Sequence, residues 1–172
     1  YCSWSFVTCS PSPGPIVQFS MRGSYHGTLP TELGALTELL RLQIDKNPDT
    51  YYVYQGDQES NILSGFIPSE LGNLRKLDRL LLSSNQLSGT IPTELGNMGS
   101  SIARFMGLEL NRNRLSGTIP SELANLPTRF NHHECTGATR KYWCPTSLRF
   151  SSNFLSGTVP STMRQAFDAD PS

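Results

Sequence analysis

The densest group of chemically capable side chains lies in "FNHHECTGATRKYWC", residues 130–144. His132, His133, Glu134, Cys135 and Cys144 are all ligand types for a transition metal. The pattern argues against that use, because adjacent histidines on an extended chain point to opposite sides. Cysteines in an oxidising compartment also pair more readily than they ligate zinc. The recurring acids Glu32, Glu70, Glu94 and Glu122 invite an acid–base reading. Each, however, stands at the start of a short helical segment, where the positive end of the helix dipole accounts for a carboxylate. No glycine-rich phosphate loop, nucleophile elbow or His-Glu-x-x-His motif is present, and "GNLRKL" lacks the Ser or Thr of a phosphate-binding loop. The chain is expected to be non-catalytic, with no metal and no cofactor.

The totals narrow the partners. Lys and Arg number 14 and Asp and Glu 14 among 172 residues, so no net field draws the chain to nucleic acid or an anionic membrane. No apolar run approaches the ~18 residues of a membrane helix, so no membrane insertion by this segment is expected. A chain that opens on Tyr1 reads as a mature or trimmed product. The cysteines fall into two local pairs, Cys2 with Cys9 and Cys135 with Cys144. Other pairings are formally open, but an extended fold favours local closure. Two disulfides are expected, and with them an extracellular or secretory, lumenal compartment. No N-glycosylation sequon accompanies them.

What positions these residues is a repeat. "NQLSGTIPTELGN" at residues 85–97 returns as "NRLSGTIPSELAN" at residues 113–125, and five units end at Pro30, Pro68, Pro92, Pro120 and Pro160. The cleanest unit places Leu74, Leu77, Leu80, Leu82, Asn85, Leu87, Gly89, Ile91, Pro92 and Leu95 at spacings that change from three to two and back. No single helix or strand buries that set. One turn of a solenoid does, and a thin core suits a chain with 37% hydrophobic residues. Leu80 and Leu82 are expected to point inward from a short strand, with Arg79, Leu81 and Ser83 facing out. Asn85, and after it Asn113 and Asn153, stand where the chain leaves the strand and are expected to satisfy backbone groups of neighbouring coils.

These features resemble the leucine-rich repeat family, and "LSGTIP" resembles its plant-type branch, found in receptor-kinase ectodomains and polygalacturonase-inhibiting proteins. The resemblance implies an α/β repeat solenoid, with a parallel β-sheet on the concave face and short helical turns on the convex side. "CSWSFVTC" is similar to that branch's N-terminal cap, in which Trp4 would cover the open apolar end. The expected organisation is a disulfide cap at residues 1–16, five repeats at 17–166 and a tail at 167–172 with no evident cap. The first unit, with Tyr25 in a leucine position, reads as a distorted coil. The last uses Leu148, Phe150, Leu155, Val159, Met163 and Phe167 and should be open at its end. The family's implied role is binding, usually of proteins or peptides.

Partner information must lie where the repeat is broken. One insertion, at about 45–60, carries Tyr51, Tyr52 and Tyr54; a second, at 127–147, carries Tyr142 and Trp143 inside the Cys135–Cys144 loop. Aromatic residues give large contact area at low conformational cost, although the same rings could shield neighbouring coils. A smaller break, "GNMGSSIARFMG", reads as a convex bulge with Ile102 and Phe105 filling leucine positions. On the concave sheet, Arg79, Leu81, Glu109 and Arg149 are the candidate contacts, accompanied by Arg41 and Gln43. A protein or peptide partner is expected first, with a cell-wall glycan as the alternative. A subunit of a larger extracellular or lumenal assembly is the second reading. An ice-binding protein is the third, from the recurring Thr28, Thr90, Thr118 and Thr158 beside Ser64, Ser88, Ser116 and Ser156. Phe66 interrupts that threonine column.

Overall fold

A computed structural model describes residues 7–9, 15–21, 26–44, 62–102, 105–127 and 147–163. The period-two leucines form the first layer. Strands β1 (Val7–Cys9), β2 (Ile16–Met21), β4 (Arg41–Ile44), β6 (Arg79–Leu81), β8 (Gly107–Glu109) and β10 (Ser147–Arg149) follow one another in a single sheet. All its neighbours run parallel except β1, which turns back antiparallel on β2 and ends the stack. Leu42, Leu80, Leu108 and Leu148 stand in register across it.

A second layer comes from the "LSGT" half of each unit. Strands β3 (His26–Thr28) and β5 (Ile62–Ser64) pair in parallel, as do β7 (Ser88–Gly89), β9 (Arg114–Gly117) and β11 (Phe154–Leu155). A Phe66–Ser88 bridge joins the two groups. The "TELGN" segments form five-residue 3-10 turns on the convex side: Thr31–Ala35, Ser69–Asn73, Thr93–Asn97 and Ser121–Asn125. Each carries its glutamate exposed in the first turn. Gly34, Gly72 and Gly96 lie directly against the backbone of Glu70, Glu94 and Glu122 in the next coil. A Cβ on any of them would collide with that backbone, so these turns stack only because the position is glycine. Among the described residues, no helix is long and apolar enough to cross a membrane.

The core is the file of leucines between these layers. Leu39, Leu42, Leu71, Leu74, Leu77, Leu80, Leu82, Leu87, Leu95, Leu108, Leu110 and Leu115 are all completely buried. In the short break before β8, Phe105 takes the place of Leu77 one coil earlier and is also fully buried, whereas Ile102 is only half-buried. At the far end Met163 is buried, while Phe154 and Val159 stay exposed. Phe167 lies outside the described residues.

Asparagine ties the coils together. The Asn85 amide donates to the carbonyls of Ile44, Leu82 and Ser83, and its oxygen accepts the Leu63 N–H. Asn113 repeats the arrangement with Leu82, Leu110 and Asn111 as acceptors and Leu87 as donor; Asn153 does so with Leu110, Phe150 and Ser151, and with Leu115. One side chain thus satisfies backbone groups in its own coil and in the coil before it, at a bend where no ladder bond can form. The residue before each asparagine, Ser84, Arg112 or Ser152, is forced to a φ of 58°, 57° or 56°. That conformation costs about 1 kcal/mol for a residue with a Cβ.

Replacing Asn85 by alanine removes the acceptor of the buried Leu63 N–H and the amide donor to the Ile44 and Ser83 carbonyls, while the Leu82 carbonyl keeps its bond from Asn113. We expect a loss of about 3 kcal/mol, the upper end for stranded buried groups. Asn153→Ala, at a half-buried position, should cost about 1 kcal/mol. Urea unfolding followed by circular dichroism measures both; equal losses would contradict a burial-dependent role for the asparagines.

Candidate functional site

The outward side of the β4-β6-β8-β10 sheet is built in rungs. The first rung runs Arg41, Arg79, Gly107, Ser147, and the second Gln43, Leu81, Glu109, Arg149. Three of the four concave residues singled out from sequence, Leu81, Glu109 and Arg149, therefore share one row, and Arg79 stands one row away. Arg149 Nε lies 3.7 Å from Glu109 Oε1, with the two side chains 50% and 13% exposed. A pair so placed contributes at most about 1 kcal/mol, and a ligand can exchange with it.

Two expected outward positions are not open. Ser83 is 1% exposed and donates to Asn111 Oδ1 at 2.8 Å, and Gln43 is 4% exposed. Gln43 stands between Ser20 and Leu81 of the adjacent strands, and Ser83 is bonded to Asn111 of the next coil, so these residues belong to the stack itself. The usable part of the face is correspondingly narrower: Arg41, Arg79 and Leu81, then Glu109 and Arg149.

The structure adds a residue that sequence reading missed. Asp78 occupies the place held by Leu40 and Met106 in neighbouring coils, directly before Arg79. Its N–H donates to the Leu40 carbonyl, and its own carbonyl accepts from Met106 and Gly107, so the backbone is locked. Its carboxylate oxygen Oδ1 is buried without a hydrogen-bond partner among the described residues, as is Arg41 Nε. Arg79 reaches the Met106 sulfur at 3.5 Å. Arg41 and Arg79 begin adjacent strands, where like charges repel, and Asp78 supplies the opposite charge between them. Burial holds the Asp78 carboxyl above the usual aspartate range, partly offset by Arg79 and then Arg41. The signal was present in the sequence as a lone acid in an apolar column.

Several sequence candidates lie outside the described residues: Tyr51, Tyr52, Tyr54, Tyr142 and Trp143, with Trp4, Cys2, Cys135, Cys144, His132, His133 and Glu134. Of the cysteines, Cys9 is placed by its backbone at the end of β1. Asn85, Asn113 and Asn153 take the structural positions expected of them.

A family model for the Leucine Rich Repeat matches residues 76–98 and 106–126. The BIR2 ectodomain from Arabidopsis thaliana is 30% identical, with a TM-score of 0.64 over 94% of this chain and 68% of that one. The plant peptide hormone receptor RGFR1, solved in complex with RGF2, is 30% identical with a TM-score of 0.60; the match covers 84% of this chain but 18% of the receptor. A plant ice-binding protein is 27% identical, with a TM-score of 0.56 over 95% of this chain and 51% of that one. A comparison with curated protein sequences finds no match. The fold and the relatives define a solenoid of stacked leucine-rich coils. The chain belongs to the plant-type leucine-rich repeat family.

The environment of Asp78 sets a pH dependence. A carboxyl raised by folding holds its proton more tightly in the folded chain, so its contribution to stability falls as pH climbs from the unfolded to the folded value. Asp78→Asn removes that titration. The stability of D78N relative to wild type should therefore be higher at about pH 7 than at about pH 3. Urea midpoints at the two pH values test this; a relative stability that falls with pH would refute the burial argument.

Proposed function

We propose that the chain is a non-catalytic recognition module of an extracellular or secretory compartment, and that its concave sheet holds an extended peptide or a segment of a partner protein. The observation that carries this reading is the second rung, where the half-buried, apolar Leu81 stands in register with Glu109 and Arg149, an ion pair at 3.7 Å whose arginine side chain is 50% exposed. A peptide offers complements to both, an apolar side chain for Leu81 and polar or charged groups for the pair. An exposed pair of this kind is held weakly enough for a ligand to take over one of its partners. The relatives support the same use: RGFR1 is a peptide hormone receptor solved with RGF2, and BIR2 is described as an ectodomain. Tyr51, Tyr52, Tyr54, Tyr142 and Trp143 in the insertions are proposed as further contacts.

A subunit role is the second reading. It is favoured by the last described coil, where Phe154 is 71% and Val159 41% exposed, an apolar surface suited to a neighbouring chain.

Panning a random peptide phage library against immobilised protein tests the first reading. Wild type is expected to enrich a defined peptide set, and Leu81→Arg, which fills the rung with bulk and charge, to abolish enrichment with an unchanged circular dichroism spectrum. Tyr52→Ala and Trp143→Ala should each weaken binding of the selected peptides. Enrichment that survives Leu81→Arg would remove the concave sheet from the function.

A further inference from the structure

A separate surface lies on the second layer, away from the concave sheet. There the repeat sets Thr28, Phe66, Thr90, Thr118 and Thr158 in one column, one per coil, at the ~4.8 Å spacing of neighbouring strands. The threonines are exposed. Thr90 and Thr118 rest their methyl groups beside Gly117 and Gly157 of the next coil, where an added Cβ would meet them at 3.0 and 3.2 Å. This packing holds each threonine in one orientation. The neighbouring serines are already engaged: Ser88, Ser116 and Ser156 donate to the carbonyls of Gly65, Gly89 and Gly117. The column of threonine hydroxyls, by contrast, makes no hydrogen bond among the described residues. It is an ordered file of donors and acceptors facing outward.

Phe66 breaks this file with an aromatic ring. It is 71% exposed, yet its position is fixed, because one side of the ring rests against Gly89. A Cβ there would lie 2.5 Å from Phe66 Cδ1, and Gly89 has the positive φ of 76° that favours glycine. Beside the ring opens a shallow cavity of about 510 Å³, whose lining includes Phe66, Ile67, Thr90, Ile91, Thr93 and Glu94. Its charge is a single carboxylate. The cavity therefore combines an aromatic and apolar surface with the Thr90 hydroxyl and the exposed Glu94 carboxylate, which accepts from Thr93 at 3.3 Å, and it runs on into the threonine file.

Few ligands match that set. A regular water lattice has no use for a ring in the middle of the hydroxyl file, and an apolar peptide anchor requires a deeper pocket. An anionic sugar meets Glu94. A neutral pyranose presents a C–H face that packs against the electron-rich face of an aromatic ring, and hydroxyls at its rim that bond to threonine and carboxylate. We propose that this lateral face binds a neutral, linear polysaccharide. Phe66 stacks against the C–H face of one sugar in the cavity, Glu94 accepts from its hydroxyls, and Thr90 and Thr118 hold the units that follow along the solenoid axis. The proposal is independent of the peptide reading, since none of these residues lies on the concave rungs.

Isothermal titration with cellohexaose, mannohexaose, xylohexaose and hexagalacturonate tests it, using wild type, Phe66→Thr, Phe66→Tyr and Leu81→Arg. At least one neutral hexasaccharide is expected to bind and hexagalacturonate not to bind. Phe66→Thr installs the residue that the other coils carry at this position, so the fold should keep its wild-type melting temperature while affinity falls about tenfold. Phe66→Tyr and Leu81→Arg should leave affinity within about twofold of wild type. Failure of every neutral hexasaccharide to bind wild type would overturn the proposal, as would tighter binding of hexagalacturonate or undiminished affinity in Phe66→Thr. Two findings in the absence of sugar binding would reassign the face: self-association lost in Phe66→Thr, to a second copy of the chain, and thermal hysteresis, to ice.

Discussion

Everything in this molecule depends on one constraint: a single coil has nowhere to bury its leucines except against another coil. The strand that carries Leu80 is three residues long, ends before Leu82 and contributes few ladder bonds, so packing between coils must supply the order that a longer strand would supply by itself. That packing works only if the backbone can bend sharply at each corner without leaving polar groups dry. Asparagine solves the corner. Its amide reaches carbonyls in its own coil and in the preceding one, and its oxygen takes an N–H from the preceding coil. The strained residue before it is tolerated because these bonds hold it in place.

The same constraint sorts the remaining positions into those that face a neighbouring coil and those that do not. Gly34, Gly72 and Gly96 face a neighbour's backbone and admit no side chain. Ser83 and Gln43 were expected to face solvent but are covered between strands. Arg41, Arg79, Leu81, Glu109 and Arg149 sit on the outward side of the sheet, where the coil geometry asks for little. Their identities are therefore free to serve a partner, and the charges there do not follow a repeat.

This division explains what the sequence revealed. The leucine columns, the asparagines, the "GTIP" bends and the convex turns all recur because each coil solves the same problem, and recurrence made them readable. Their stacking order follows from that reading, whereas the antiparallel β1 strand recurs nowhere and was not anticipated from the cap sequence. The concave rungs were legible only in part. Strand periodicity placed Leu81, Glu109 and Arg149 on one side, but it does not say which short side chain becomes covered by its neighbours. Asp78 was overlooked for the opposite reason. Its importance lies in where burial places it, beside Arg41 and Arg79, and a column alignment shows it only as an acid among Leu40 and Met106. The aromatic insertions are different again, since they obey no repeat at all and the recognition role proposed for them rests on composition.

Phe66 illustrates how function can enter such a scaffold without disturbing it. The threonine column needs only a small methyl beside the next coil's glycine, as at Thr90 and Thr118. A phenylalanine in that column keeps the same contact, because the space that a Cβ on Gly89 would fill is available to the edge of a ring. The rest of the ring has no neighbour to satisfy and stays in solvent. Exposing it costs stability relative to burial, so it is not explained by packing within its own coil. A large apolar side chain held in place by glycine, set among outward hydroxyls and bordered by one acid, is better understood as a contact surface than as a core residue in the wrong place.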